Sequence, residues 1–189
     1  MRIGVLGGTF DPPHLGHLAV ADYAQQQLGL DLILFVPAQP WQKQEHASAD
    51  VRGHMTALSL SAHSDWQVSY VDLERSGPTY TVDTLRDLKL QWPEAEIWFI
   101  VGADAANGLD TWRSADELKT SAHFAIVTRP RHNVSVPSGF SFQLVEGTPP
   151  DVSSTAIRES VAAGITEQEL QLAVTPEVAR FITETGLYR

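Results

Sequence analysis

Apolar residues along the 189-residue chain fall into two rhythms. Short, nearly unbroken apolar runs closed by glycine or proline read as buried strands. Arg2 to Leu6 ends in Gly7-Gly8, Leu32 to Val36 is closed by Pro37, Glu96 to Val101 ends at Gly102, and Phe124 to Val127 stops at Arg129-Pro130. Trp66 to Val71 alternates as a strand does, and Phe140 to Val145, after a Pro/Ser/Gly-rich stretch, reads as the last strand. Between them, apolar positions recur at helical spacing from His17 to Leu28, Asp50 to Ala62 and Thr81 to Leu90. From Ser154 onward the pattern is helical, with Pro176 where a last helix would start.

Strands alternating with helices over the whole length predict an α/β fold, a mostly parallel sheet with helices on both faces. No repeat or linker divides the chain, so residues 1–189 read as one domain, with the helical part 154–189 integral to it. In such sheets ligands sit beyond the carboxyl ends of the strands. The loops to search are therefore Gly7 to His17, Pro37 to Ser48, Gly102 to Arg113, and Arg129 onward.

Composition narrows the function classes. With 43% hydrophobic and 19% charged residues the chain matches ordinary globular proteins. No apolar run reaches the roughly 18 to 20 residues of a membrane span, and the start shows no signal-peptide pattern. The absence of cysteine excludes a disulfide framework and thiolate metal sites, so a cytoplasmic setting is expected. A net charge of −10 argues against nucleic-acid binding, which needs a basic face. Small anions are still bound where a few of the 13 Lys and Arg residues converge.

One stretch is far richer than a chain reversal needs: GGTFDPPHLGH, directly after the first strand. Glycines there let backbone N–H groups approach a phosphate, although a tight strand-helix turn alone also explains them. The dinucleotide fingerprint G-x-G-x-x-G is absent, and so is a Gly-Lys-Ser/Thr phosphate loop. His14 and His17, three apart at a helix start, share one face. A metal is the weaker occupant, because H-E-x-x-H spacing is missing. The positive end of a helix favours an anion, and Gly16 between the histidines removes a side chain where a ligand would press. A second constellation is Ser153-Ser154-Thr155-Ala156-Ile157-Arg158. Capping explains one hydroxyl, but an arginine in the opening turns opposes the helix dipole unless an anion sits there. Glu74 to Thr84, ERSGPTYTVDT, reads as a turn into a helix capped by Thr81. Gly102-Ala-Asp-Ala105 with Trp112-Arg113 completes the set, and aromatic and amide groups of this kind suit a flat, polar-edged ligand.

Together these stretches resemble the nucleotidyltransferase superfamily with its (T/H)-x-G-H and S-S-T-x-x-R signatures. Within it they are most similar to the nicotinate-nucleotide adenylyltransferases, which make deamido-NAD. The likeness runs in order from Arg2 to Tyr188 through GGTFDPPHLGH, VPAQPWQK, ERSGPTYTVDTL, GADA with Trp112, Arg129-Pro130, SSTAIR and a terminal GLY. It implies a Rossmann-like domain that joins ATP and nicotinate mononucleotide by direct in-line transfer, releasing pyrophosphate. It implies Mg²⁺ carried by ATP, no metal held by protein ligands, small-molecule partners without nucleic acid or membrane, and compatibility with a homodimer. Carried over by motif, Gly8, Thr9 and Phe10 would line the nucleotide site. His14, His17, Ser154, Thr155 and Arg158 would surround the ATP phosphates, with His14, His17 and Arg158 catalytic. Lys43 would be the basic residue of the second loop. Thr81 and Val82 would donate to the nicotinate carboxylate, Trp112 would stack on the pyridine followed by the Arg113 N–H, and Asp104 would sit at the sugar or the adenylate. Two departures stand out: Pro40-Trp41-Gln42-Lys43 replaces the commoner P-P-H-(K/R), and Ala105 follows Asp104 where serine is frequent. The residues themselves leave the acid or the amide mononucleotide open, along with another adenylyltransferase of the superfamily or a non-catalytic nucleotide sensor.

Overall fold

A computed structural model describes residues 1–39, 45–128 and 134–189. Six strands, β1 (Arg2–Gly8), β2 (Leu32–Pro37), β3 (Trp66–Val68), β4 (Glu96–Gly102), β5 (His123–Thr128) and β6 (Phe142–Glu146), form one sheet in the order β3-β2-β1-β4-β5-β6. Every pairing is parallel, as the unbroken apolar runs require when both faces are covered. Side chains alternate across it. Val5, Leu34, Phe99 and Ile126 pack on one face, and Ile33, Phe35, Ile100 and Ala125 on the other.

Helix α1 (Leu15–Leu28) covers the second of these faces through Ala21, Ala24 and Leu28. The amide of its Gln27 donates to the Glu146 carbonyl at 2.7 Å and accepts from the Glu146 N–H at 3.0 Å, tying α1 to the edge strand β6. Helix α2 (Ala49–Ser59) follows β2, and the single-turn α3 (Val71–Glu74) follows β3. Helix α4 (Thr81–Gln91) covers the first face with Val82, Leu85 and Leu88. After β4 come the one-turn α5 (Ala103–Ala106), a 3₁₀ turn at Leu109–Thr111 and α6 (Ala115–Ser121), whose Leu118 joins the same cluster. The C-terminal helices α7 (Ser154–Ala162), α8 (Glu167–Leu170) and α9 (Pro176–Thr185) build a third cluster with α2, in which Met55, Ile157, Val178 and Ile182 are buried. Pro176 occupies the first turn of α9 as expected.

Several element bounds differ from the sequence reading. β1 continues through Gly7 and Gly8, which pair with Val36 and Pro37. β3 stops at Val68, because the Tyr70 carbonyl collects the N–H groups of Leu73 and Glu74 and turns Val71 into helix. Helix α1 starts two residues early, making His14 its N-cap, and α4 is capped by Tyr80, with Thr81 as its first residue.

Beyond the sheet's carboxyl edge, the chain leaves β1 towards β2 on one side and returns in β4 on the other. That reversal next to β1 opens a crevice at the ends of β1 and β4.

Candidate active site

β1 delivers Gly7 and Gly8 to this crevice. The chain then turns at Phe10, whose φ of 50° swings its ring into the core, 5.7 Å from Phe35 and edge-on to His17 at 4.9 Å. Phe10 is therefore a core residue by its side chain, 1% exposed, and lines neither of the clefts described below. A Cβ on Gly8 would lie 3.0 Å from that ring, so the burial of Phe10 itself favours a glycine there.

His14 and His17 stack at 3.6 Å across the first turn of α1. The His14 N–H donates to Nδ1 of His17 at 3.2 Å, so the neutral His17 ring carries its proton on Nε2. Nδ1 of His14 is buried without a partner among the described residues. A Cβ on Gly16 would meet the His14 ring at 3.0 Å and Val152 at 3.3 Å, so Gly16 makes room for the imidazole.

Burial pushes the His14 imidazole down from 6.5 to about 4. Between those values the unfolded chain binds a proton that the folded one refuses, so this contribution to stability is lost as pH falls from about 6.5 towards 4. Urea denaturation at stepped pH is expected to show His14→Gln flattening this loss. Parallel losses in both proteins would mean that another group is responsible.

The second constellation arrives from 140 residues away and lands on the first. Ser153 caps the Ala156 N–H at 3.2 Å, the one hydroxyl spent on capping. Ser154 Oγ donates to the Pro12 carbonyl at 2.8 Å, and Arg158 donates to the Asp11 carbonyl at 2.8 Å and to Thr155 Oγ1 at 3.3 Å. The N-termini of α1 and α7 thus sit against one loop. These are the only helices among the described residues with no acidic side chain in the first turn; α2, α3, α4, α5, α6, α8 and α9 all have one. Each helix brings about half a positive charge at its N-terminus. Left uncompensated beside Arg158, that charge favours a polyanion.

The loop is fastened from behind by residues that sequence reasoning missed. Arg52, fully buried on the apolar side of α2, donates from one nitrogen to the carbonyls of Thr9 and Ala38, both at 2.7 Å, and from another to Glu45 at 2.9 Å. Asp11, 3% exposed, accepts from the His46 N–H at 2.7 Å and from the Tyr188 hydroxyl at 2.6 Å. Burial and that carboxylate hold the Tyr188 hydroxyl in its neutral form. An arginine in register with Met55, Thr56 and Ser59 was a legible signal for Arg52. Asp11 stood inside the quoted loop without a role.

Two clefts open from the crevice and share Gly102 at the end of β4. One, of about 410 Å³, is lined by Gly8, Thr9, Thr81, Phe99, Ala105 and Trp112. Trp112 stands edge-on to Phe99 at 6.1 Å. Thr81 and Val82 open α4 there, where Tyr80 makes no side-chain cap. The Val82 side chain is in the core, and Val82 is not among the residues that line this cleft. The Arg113 guanidinium lies 4.4 Å over the Tyr80 ring and 3.8 Å from Asp83, and Asp83 also pairs with Arg86 at 2.8 Å. The other cleft, of about 400 Å³, is lined by Val20, Asp104, Thr128, Gly147 and Pro149. Asp104 falls here, apart from Thr81 and Trp112. Lys43, Gln42 and Arg129-Pro130 lie outside the described residues.

Comparison with known proteins agrees with this geometry. Residues 5–160 match the family model described as cytidylyltransferase-like. A probable nicotinate-nucleotide adenylyltransferase of Saccharopolyspora erythraea is 45% identical over all of this chain and 90% of its own length. One from Streptomyces coelicolor is 44% identical over 97% of this chain and 99% of its own. Among solved structures, nicotinic acid mononucleotide adenylyltransferase of Plasmodium falciparum complexed with NaAD superposes with a TM-score of 0.80 at 21% identity, covering 99% of this chain and 97% of that one. The fold is thus that of a nucleotidyltransferase, and full-length identity of this order leaves one conclusion: the chain belongs to the nicotinate-nucleotide adenylyltransferase family.

Proposed function

We propose that the chain joins ATP and nicotinate mononucleotide into deamido-NAD and pyrophosphate. The observation that carries this reading is the meeting of two acid-free helix N-termini, His14, His17 and Arg158 on one loop. This is a clamp for a triphosphate, set between two clefts that suit two different rings. The pyridine end of the mononucleotide enters the Trp112 cleft, its carboxylate towards the N–H groups of Thr81 and Val82. The adenosine end takes the cleft that holds Asp104.

An oxygen of the mononucleotide's 5′-phosphate attacks the α-phosphorus of ATP in line. The bond from that phosphorus to the bridging oxygen breaks, and the electron pair leaves with pyrophosphate. No protein nucleophile takes part, so the residues supply position and charge. His17 donates from Nε2, and Arg158 and the helix N-termini of α1 and α7 meet the charge that grows on the leaving oxygens. The divalent cation, Mg²⁺ on this reading, arrives as part of the ATP substrate. Both substrates are small molecules of the cytoplasm.

Pyrophosphate release from ATP tests the reading, with nicotinate mononucleotide, its carboxamide and 4′-phosphopantetheine as acceptors. The acid is expected to give the highest kcat/KM. A higher value for either of the others would reassign the substrate, and no release with any of them would leave a nucleotide sensor.

A further inference from the structure

Among the described residues lining the Trp112 cleft there is one carboxylate, Asp72, and it is 2% exposed. Thr84 Oγ1 lies 2.8 and 2.9 Å from its two oxygens, and Arg75 donates to it at 3.0 Å. The same Thr84 hydroxyl is 3.3 Å from the carbonyl of Tyr80, the N-cap of α4. The carboxylate is thereby held at the first turn of α4, the helix that Thr81 opens at the cleft. Burial raises its pKa, while Thr84 and Arg75 pull it back down.

A buried negative charge at this place is a problem for the proposed ligand. A helix N-terminus supplies about half a positive charge, which one unpaired carboxylate more than cancels. A ring carrying its own carboxylate would then meet a negative field. Arg75 restores the sign from outside the cleft lining. Its other carboxylate partner, Asp87, is 40% exposed by side chain and better screened by water.

We propose that Asp72 and Arg75 form a specificity-determining pair, in which the guanidinium neutralises the buried carboxylate so that the cleft takes a pyridine carrying a carboxylate rather than a neutral carboxamide. The pair rests on the reading that the pyridine end of the mononucleotide occupies this cleft. Nicotinate mononucleotide and its carboxamide have nearly the same shape and differ by one charge, so their ratio of kcat/KM isolates the electrostatic effect.

The ratio is measured at saturating ATP for the unaltered protein, Arg75→Gln, Asp72→Asn and the double variant. Arg75→Gln is expected to lower the acid-to-amide ratio about tenfold, the scale of one uncompensated charge acting across a partly wet pocket. Adding Asp72→Asn is expected to bring the ratio back to within about threefold of its starting value. Equal losses on both substrates, or a double variant that stays low, overturn the pair and assign Arg75 a structural role. If Arg75→Gln does not fold, Asp72→Asn alone decides: it keeps an acceptor for Thr84 and is expected to raise the ratio, whereas a fall or no change overturns the proposal. An unaltered protein that uses neither mononucleotide would instead overturn the functional reading, a result distinct from an unchanged ratio in active variants.

Discussion

Replacing His17 by alanine is expected to lower kcat by about a hundredfold or more, the scale of losing one preorganised donor to developing charge, equal to about 2.7 kcal/mol of barrier. The geometry fixes which nitrogen matters. Nδ1 accepts from the His14 N–H, so in the neutral ring the proton is on Nε2. On the proposed reading the imidazole does two jobs at the third residue of α1: one nitrogen satisfies an orphan backbone donor, and the other would donate to the phosphates. Losing the first job costs stability, about 1 kcal/mol or roughly 2–4 °C in Tm. Losing the second costs rate.

Two further substitutions separate those jobs. In His17→Asn the side-chain oxygen stands where Nδ1 stood, so the cap survives and Tm is expected to stay near that of the unaltered protein, while kcat falls as in the alanine variant. In His17→Gln the amide nitrogen falls near the place of Nε2, so part of the rate is expected to return. Steady-state kinetics with calorimetry checks both. Near-normal kcat in a folded His17→Asn would show that His17 only caps the helix.

The strands were readable because a fully buried parallel strand is an apolar run cut off by glycine or proline, and all six appear near their expected places. The short helices α3, α5 and α6 were not readable. Only Leu118 of α6 is buried, so no apolar period marks it, and α3 is a single turn created by the Tyr70 carbonyl. The two halves of the proposed phosphate clamp were legible as local oddities: paired histidines after a glycine turn, and an arginine where the helix dipole disfavours one. Their meeting was not, since Arg158 touches the Asp11 carbonyl through a contact 147 residues apart in sequence. The same holds for the acids near the Trp112 cleft. Asp83 and Asp110 are nearer in sequence to Thr81 and Trp112, yet the carboxylate lining the cleft is Asp72, brought there by the turn at Tyr70. Phe10 shows how a side chain's direction escapes the sequence. It lies in the right loop, but a positive φ sends its ring into the core.

Arg52 is the residue whose loss is expected to cost the fold most. Its guanidinium is wholly buried, and one nitrogen joins the carbonyls of Thr9, after β1, and Ala38, after β2. Arg52→Met fills much of the same volume but strands both carbonyls and the Glu45 carboxylate without their donor. Leaving two carbonyls without their donor costs about 1–3 kcal/mol each, which for a chain of this size is on the order of 10 °C in Tm. Arg52→Lys keeps the charge but has no planar fork to reach two carbonyls and a carboxylate together, so it is expected to recover less than half of the loss. Because Thr9 begins the loop that carries His14 and His17, the lysine variant should also gain less stability from added ATP than the unaltered protein gains at the same concentration. Thermal melts with and without ATP measure both effects. An Arg52→Met protein that melts within about 3 °C of the unaltered chain would mean that water or a shifted backbone satisfies those carbonyls, and that the phosphate loop holds its shape without Arg52.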